Sequence, residues 1–243
     1  MRRRLGLASA LRSGLRGIRP PVGAVRFGSL RRVSPVSTSY GFDRGQPVDR
    51  HYIEDFLLRH APDVRGHVLE FGDDAYARRF GSLNGDGGRV RQVDVFDVDP
   101  SNPGATLVGD LVTGAAMPAD TFDCIICTQV LHLIYEVPAA IRNLHQALRP
   151  GGVLLATVPG ISAMPAADRE RWEWYWGFTT SSMERLFADH FAPGESAIEA
   201  HGNVLSAISF LHGLAAEELT AEELDVRSAE YELLVAVHAR RTA

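Results

Sequence analysis

Short apolar segments alternate with helical periodicity through most of the chain, and this alternation predicts the architecture. Five segments are typical of buried strands because they are short and nearly continuously apolar. They are His67–Phe71, Arg91–Val98, Ala105–Val108, Phe122–Thr128 and Gly152–Val158. Two further strands are expected at Ser196–His201 and Tyr231–Ala239. The pattern predicts an α/β fold with a doubly wound, mostly parallel seven-stranded sheet and helices on both faces.

Helical periodicity separates several of these strands. One helix is predicted within Pro47–Pro62 and another within Pro138–Pro150, because apolar residues recur there at helical spacing between proline boundaries. A third is expected after the capping-box spacing Ser181–Glu184. The acidic stretch Ala215–Asp225 is interpreted as a solvated helix. Only Pro100–Gly104 remains between the second and third strands, so no helix is expected there.

The first 42 residues differ from the rest in charge. They hold nine of the 25 basic residues and no acidic one, which leaves 16 arginines against 30 acidic residues in the body. We expect residues 1–42 to form a basic, partly flexible arm and residues 43–243 a single domain. The arm is interpreted as solvated, as a weak contact for anionic lipid or another polyanion, or as a cover for the active site. Its composition also matches organellar transit peptides.

Composition excludes several classes of protein. Hydrophobic residues make up 45% and charged residues 23%, which is unlike a disordered or collagenous chain. No apolar run approaches the roughly 18 residues that a membrane span needs. Cys124 and Cys127 form a C-x-x-C string inside a predicted buried strand, where residues three apart point to opposite faces. We therefore expect no metal or redox centre from this pair, and a cytoplasmic, reducing location.

Acidic residues accompany the ends of three predicted strands, at the edge where parallel sheets bind ligands. The first strand ends in Glu70-Phe71-Gly72, and Gly72 permits a tight turn close to a ligand. Asp94 lies 24 residues beyond Glu70, near the spacing of an acid that accepts hydrogen bonds from ribose hydroxyls. Its rivals for that role are Asp97 and Asp99. Asp110 follows the third strand, so the same edge carries a further acid.

Three further segments resemble class I S-adenosylmethionine-dependent methyltransferases, especially the small-molecule branch called type 11. They are Met117–Asp123, Gln129–His132 and Leu148–Gly152, in the family's order and spacing. The resemblance spans Val68–Pro159 and implies S-adenosylmethionine as the cofactor.

The resemblance also implies cofactor contacts. The expected residues are Glu70, Gly72, Asp74, Asp94, Asp110, Leu111 and Gln129. By resemblance, Glu70 and Gly72 hold the methionine end and Asp94 the ribose hydroxyls. Asp110 and the amide of Leu111 then hold the adenine edge, where a carboxylate accepts and an N–H donates.

The glycine loop departs from the family pattern G-x-G-x-G. Gly72 is present, but Asp74 and Tyr76 replace the other two glycines. Asp74 either bonds the cofactor's ammonium or repels its carboxylate, and Tyr76 either caps the pocket or fills it. A methyltransferase-like binding or scaffolding module without turnover is therefore the alternative hypothesis. A nicotinamide-dependent oxidoreductase is disfavoured because the loop lacks G-x-G-x-x-G.

Methyl transfer to a hydroxyl needs a positioned acceptor and a base that removes the hydroxyl proton. The candidate catalytic bases are His132, which follows the fourth strand, and His51, on the helix expected to cover the site. An aromatic cluster after the fifth strand is interpreted either as an acceptor wall or as a hydrophobic lid. Its members are Trp172, Trp174, Tyr175, Trp176 and Phe178.

The expected acceptor is a small or glycan-linked molecule. Enzymes that methylate base amines carry N/D-P-P-Y/F where this chain has Thr128–Leu131, and the acidic body lacks a basic groove. We therefore do not expect nucleic acid as a partner. Arg44–Arg50 and Tyr175–Thr179 are similar to stretches in methyltransferase-like proteins of bacterial glycan and glycosyl-transfer pathways. Together these resemblances imply methyl transfer to oxygen, less so to nitrogen.

Overall fold

The computed structural model describes residues 20–81 and 88–242, and these divide into two units between Ser34 and Pro35. The larger unit thus begins eight residues before the predicted boundary at 43. The reason lies in the backbone, because the amides of Val36 and Ser37 both donate to the carbonyl of His212, over 2.8 and 3.1 Å. The Ser37 hydroxyl also donates to Asp43. In the smaller unit, Gly28–Leu30 forms one exposed 3₁₀ turn.

The sheet has seven strands in the order β3-β2-β1-β4-β5-β7-β6. The strands are β1 (Gly66–Phe71), β2 (Val90–Asp97), β3 (Leu107–Val108), β4 (Phe122–Thr128), β5 (Leu148–Pro159), β6 (Ser196–His201) and β7 (Leu234–Arg240). Strands β1 to β5 pair in parallel, and β7 is antiparallel to both β5 and β6. The chain order reverses between β1 and β4, which confirms the predicted doubly wound fold.

Helices cover both faces of the sheet. They are α1 (Val48–Arg59), α2 (Ala75–Gly81), α3 (Val137–Ala147), α4 (Ala166–Arg171), α5 (Thr180–Ala188), α6 (Val204–Leu211) and α7 (Ala221–Asp225). Helices α1, α2, α6 and α7 contribute to one buried cluster, whereas α3 and α5 contribute to the other. Cys124 belongs to the first cluster and Cys127 to the second, which confirms that they point to opposite faces. Within the described residues, no helix is both long and apolar enough to cross a membrane.

Some element boundaries differ from the sequence predictions. Helix α5 is capped by Thr179, whose Oγ1 accepts from the amide of Ser182, two residues before the predicted cap. The acidic stretch forms a 3₁₀ turn at Ala216–Glu218 and then α7, so it is two short helical segments. Strand β3 has only two residues, and the fully described loop before it contains no helix, as predicted.

Candidate active site

The carboxyl ends of three central strands meet at one edge of the sheet. Phe71 of β1 pairs with Phe96 of β2, and Glu70 pairs with Ile126 of β4. A cavity of about 460 Å³ lies at this edge, and we call it the cofactor-side cavity. Its walls are Phe42, Gly45, Gln46, Pro47, Arg50, Glu54, Glu70, Phe71, Asp73, Ala75, Tyr76, Arg79 and Thr128. Its position is the one at which doubly wound sheets bind ligands.

Glu70 forms part of this cavity and also fixes the loop that follows β1. Its side chain is 3% exposed, and its carboxylate accepts from the amides of Tyr76 and Ala77 over 3.0 and 2.7 Å. Burial raises the pKa of Glu70 to about 7, although these two hydrogen bonds oppose the rise. Glu70 therefore holds the start of α2 against the end of β1.

Gly72 presents its backbone to open space. Its φ is +82°, a conformation that favours glycine, and a Cβ placed there would meet nothing within 4 Å. Its amide donates to the carbonyl of Phe96 over 3.0 Å, and its carbonyl accepts from Asn102 Nδ2 over 2.7 Å. The turn is thus held by neighbours while one side stays free to approach a ligand.

The two residues that replace the loop glycines take different positions. Asp74 lies outside the cavity wall and accepts from Arg78 Nε over 2.7 Å, and this hydrogen bond lowers the pKa of Asp74. Tyr76 lines the cofactor-side cavity, and its hydroxyl accepts from Arg50 Nη1 over 3.2 Å. Tyr76 therefore narrows the cavity as one wall and does not fill it.

The acids of β2 occupy different levels of the sheet. Asp94 lies three residues before the strand end, 2.6 Å from His67 Nε2, and accepts from the hydroxyl of Thr106 over 2.8 Å. Asp97 ends the strand and accepts from Asn102 Nδ2 over 2.6 Å. The structure therefore brings Asp97 to the ligand-binding edge, whereas Asp94 remains on the face of the sheet.

Asp110 and Leu111 follow β3, as predicted, but line neither cavity described here. Asp110 is exposed and its carboxylate accepts from the amide of Val112 over 2.8 Å. Leu111 is buried, and its carbonyl accepts from Asn143 Nδ2 over 2.8 Å. Asn143 on α3 therefore fixes this loop beside the edge of the sheet.

A second cavity, of about 470 Å³, lies at the ends of β4 and β5, and we call it the acceptor-side cavity. It shares Phe42 and Arg50 with the cofactor-side cavity. Its polar and aromatic walls include Tyr40, Asp49, Gln129, His132, Asp168, Trp172 and Trp174. The two cavities therefore adjoin at one wall.

His132 is the sequence-predicted base that the structure brings into a cavity. It lies in the 3₁₀ turn Leu131–Leu133, is buried, and packs its ring against Trp174 with 4.2 Å between centroids. Burial, assisted by the charge of Arg50, lowers the pKa of His132 to about 4. Its Nδ1 is buried and has no hydrogen-bond partner among the described residues. His132 is thus a neutral imidazole in the acceptor-side cavity.

Gln129 and His51, two other predicted site residues, have contrasting positions. Gln129 follows β4 in the left-handed region at φ +54°, lines the acceptor-side cavity, and has a buried Nε2 with no partner among the described residues. It therefore lies on the acceptor side and not in the wall of the cofactor-side cavity. His51 lines neither cavity and packs edge-on against Tyr52, at 5.4 Å between ring centroids.

The aromatic cluster divides between wall and packing. Trp172 and Trp174 line the acceptor-side cavity. Trp176 stacks on Tyr135, and Tyr175 contacts the same ring edge-on. Phe178 belongs to the core beneath the sheet. Two members of the cluster therefore line a cavity, whereas the other three pack against neighbouring side chains.

The sequence analysis missed several cavity residues as site residues, and four of them lie in the acceptor-side wall. Tyr40 donates its hydroxyl proton to Asp168 on α4 over 2.6 Å, which connects two distant segments over the cavity. Asp49 and Arg50 lie in the first turn of α1. Burial raises the pKa of Asp49. Burial alone would lower the pKa of Arg50, but the negative charge of Asp49 raises it, and the net shift is upward. No periodicity marks these residues, although Asp49 and Arg50 lie in the Arg44–Arg50 segment.

Comparisons with known proteins identify the family of this chain. The profile of a family described as "Methyltransferase domain" matches residues 48–210. A mitochondrial relative from Danio rerio, arginine-hydroxylase NDUFAF5, is 29% identical over 93 residues, which are 37% of this chain and 26% of the relative. The match thus spans about a quarter of that relative's length.

Solved structures show the same fold. The N-methyltransferase NodS from Bradyrhizobium japonicum WM9, solved with S-adenosyl-L-homocysteine, aligns with a TM-score of 0.51 at 17% identity over 82% of this chain and 90% of that one. An S-adenosylmethionine-dependent methyltransferase from Mesorhizobium loti aligns with a TM-score of 0.50 at 18% identity, over 83% and 100%.

Proposed function

This chain belongs to the methyltransferase-domain family, and we propose that it transfers a methyl group from S-adenosylmethionine to an oxygen atom of a small or glycan-linked acceptor. Members of the family use S-adenosylmethionine as methyl donor. The observation that carries the proposal is the pair of adjoining cavities, with His132 in the acceptor-side wall and its Nδ1 without a partner among the described residues. In this proposal nucleic acid is not a partner, and the reaction takes place in the cytoplasm.

The cofactor-side cavity fits the donor chemically. Its walls carry both signs of charge, Arg50 and Arg79 against Glu54 and Asp73, and the methionine end of the donor carries a carboxylate and an ammonium. Gly72 offers backbone without a side chain, and the volume is ordinary for a small-molecule site. When bound, the donor supplies an electrophilic methyl group on a sulfonium.

Asp97 has the best position to accept hydrogen bonds from the ribose hydroxyls of the donor. A carboxylate at the carboxyl end of the second strand accepts hydrogen bonds from ribose hydroxyls in nucleotide-binding sheets. Asp97 has that position, and Asn102 and the amide of Asp99 orient its two oxygens over 2.6 and 2.9 Å. Asp94 instead contacts His67 and Thr106 below the edge. We therefore assign the ribose role to Asp97 in this proposal.

His132 is proposed as the general base. Its Nδ1 would take the proton of an acceptor hydroxyl, so that the hydroxyl oxygen could accept the methyl group that a bound donor would supply. The imidazolium then releases the proton to solvent. Because its pKa is near 4, His132 is unprotonated at neutral pH and ready to accept. Burial lowers this pKa most, and the positive charge of Arg50 lowers it further.

The remaining walls suit a hydroxylated acceptor. Asp49, Asp168 and Gln129 supply hydrogen-bonding oxygens and an amide, and Trp172 and Trp174 supply flat apolar faces. An acceptor with several hydroxyl groups on an apolar ring would use both kinds of wall. This combination supports the small or glycan-linked class without choosing a single molecule.

One observation favours a second candidate, a binding or scaffolding module without turnover. Both oxygens of Glu70 already accept backbone amides, and Tyr76 and Asp74 are held by Arg50 and Arg78. The loop is therefore complete without a ligand. In this reading the acceptor-side cavity binds its ligand, and the cofactor-side cavity has no catalytic use.

Calorimetric titration with S-adenosylmethionine and S-adenosylhomocysteine separates the two candidates, after bound ligand has been removed and checked by mass spectrometry. Saturable binding by wild type supports the enzyme. The double variant Asp74→Gly, Tyr76→Gly is the matched comparison. If only that variant binds, the module gains support. Proteins that bind are then incubated with tritiated-methyl donor and hydroxylated and amine acceptors, and label on oxygen confirms the acceptor atom.

A further inference from the structure

Two histidines and an aspartate lie together outside both cavities. His60 caps the carboxyl end of α1, and Asp63 ends the 3₁₀ turn Ala61–Asp63 that follows. Residues three apart share one face of a helical turn, so both side chains point to the same side. His238 on β7 completes the group, and one potential ligand atom from each residue lies within 4.8 Å of the others.

We propose that His60, Asp63 and His238 bind a divalent transition-metal ion of the Zn²⁺ type. Two imidazoles and one carboxylate are a ligand set that suits Zn²⁺ and its neighbours in the first transition row, whereas Mg²⁺ and Ca²⁺ prefer oxygen ligands. Three protein ligands leave a fourth position for water. All three residues are partly exposed, so an ion can enter from solvent.

The spacing is close to that of a bound site. His238 Nε2 lies 3.0 Å from Asp63 Oδ2. Bonds of about 2.0–2.1 Å in a tetrahedron place neighbouring ligand atoms about 3.3 Å apart. An ion can therefore replace the proton between these two atoms with a small movement.

His60 has a ring nitrogen available for coordination. Its side chain makes no hydrogen bond among the described residues, and its ring packs against Phe56 at 4.8 Å and His238 at 4.5 Å between centroids. Burial, followed by the proximity of His238 and Arg59, lowers the pKa of His60 and so favours the neutral imidazole. Neutral imidazole is the form that binds metal ions.

The charges around the group are balanced. Arg240 Nη2 donates to Asp63 Oδ1 over 2.8 Å and leaves Oδ2 facing the two histidines. Outer hydrogen bonds of this kind orient carboxylate ligands in metal sites. Arg59 repels a cation near His60, but it is paired with Asp55 and Glu199. A bound ion joins the end of α1 to β7, at the opposite end of α1 from Arg50.

Titration of untagged, chelator-treated protein with Zn²⁺ against a competing chromophoric chelator tests this proposal. We expect one ion per chain, and a Co²⁺ absorption band in the visible range that Zn²⁺ abolishes. His60→Phe keeps the ring packing and removes the ligand, so we expect at least a tenfold weaker affinity. His145→Phe is the matched control, because the His145 ring also packs on a phenylalanine, Phe191, at 4.8 Å.

Thermal unfolding provides the second readout. At the same Zn²⁺ concentration the Tm of wild type and of His145→Phe should rise by similar amounts and that of His60→Phe by clearly less, because stabilisation of the folded state falls as the Kd rises. His60→Phe leaves the hydrogen bonds of Asp63 intact, so it separates metal binding from loss of folding. Equal Zn²⁺ affinity in wild type and His60→Phe would overturn the proposal, as would the absence of saturable binding by folded wild type.

Discussion

The two cavities share a wall but differ in how their polar groups are satisfied. On the cofactor side, Glu70 accepts two backbone amides, and Tyr76 accepts from Arg50. On the acceptor side, Gln129 Nε2 and His132 Nδ1 are buried without a partner among the described residues. Native proteins rarely leave buried polar atoms unpaired. The first cavity is therefore organised by its own backbone, whereas the second retains hydrogen-bonding capacity for a ligand.

The largest effect that tests this contrast is the removal of His132. We expect His132→Ala to lower the rate of methyl transfer by about 10²–10⁴-fold, the usual contribution of general base catalysis, and to leave donor affinity within about twofold. The measurement is label transfer from tritiated-methyl donor to the acceptor identified by screening. His51→Ala is the control and should keep its activity. Similar losses in both variants would contradict the assignment.

A pH profile checks the same residue independently. Because the folded-state pKa of His132 is near 4, we expect kcat/KM to rise through about pH 4 and then to change little from this group up to pH 7. A limb near pH 6.5, the ordinary histidine value, would show that the base is solvated.

On the cofactor side, the expected effect of Glu70 is on stability. Its folded-state pKa of about 7 lies above the ordinary 4.5, so its contribution is fully present below pH 4.5 and is lost as pH rises through 7. Relative to Glu70→Gln, wild type should lose up to about 3 kcal/mol of unfolding free energy over that range. Urea unfolding at several pH values measures this difference. Plots of unfolding free energy against pH that run parallel for wild type and Glu70→Gln would refute the prediction.

Substitutions of Asp97 and Asp94 distinguish a residue that contacts the ligand from one that stabilises the sheet. We expect Asp97→Asn to weaken S-adenosylhomocysteine binding about 10- to 100-fold, because a hydrogen bond to a charged group contributes about 1.5–3 kcal/mol. Asp94→Asn should lower the Tm through His67 and Thr106 and change the Kd less than threefold. Calorimetry with the two variants decides the matter, and a reversed order would return the ribose role to Asp94.

The smallest effect concerns the contact across the acceptor side. Tyr40→Phe removes the hydrogen bond to Asp168 and keeps the ring stacked on Phe210. We expect acceptor KM to rise about two- to tenfold, in line with about 0.5–1.5 kcal/mol for one hydrogen bond, while donor Kd is unchanged. Tyr175→Phe, at a residue that lines neither cavity, is the comparison. An equal change in donor affinity would mean that the two sides are not distinct.

Local hydrophobic continuity predicted the strands well. The observed bounds of β4 and β6 are those predicted, because each is a short apolar or alternating run between turn residues. Glu70 and Gly72 also lie where the end of the first strand placed them. For these residues, the signal is contained in a few neighbouring positions.

Features that depend on contacts between distant segments could not be predicted from local sequence patterns. Asp94 lies below the end of its strand because it pairs with Leu69 of β1. The spacing of 24 residues from Glu70 does not determine this strand register. Tyr40 and Asp168 are 128 residues apart, and no local pattern connects them. At α5, Thr179 offers the same capping chemistry as Ser181, so composition alone could not choose between them.

Arg50 is a wall of both cavities, and this has a consequence for how one bound ligand affects the affinity for the other. An anionic group bound on the cofactor side neutralises a cation that the acceptor also faces. Any factor by which the donor changes acceptor affinity must then apply equally in reverse. The coupling free energy between the two cavities is therefore the same in both directions, and the guanidinium of Arg50 is the charged group that both ligands would face.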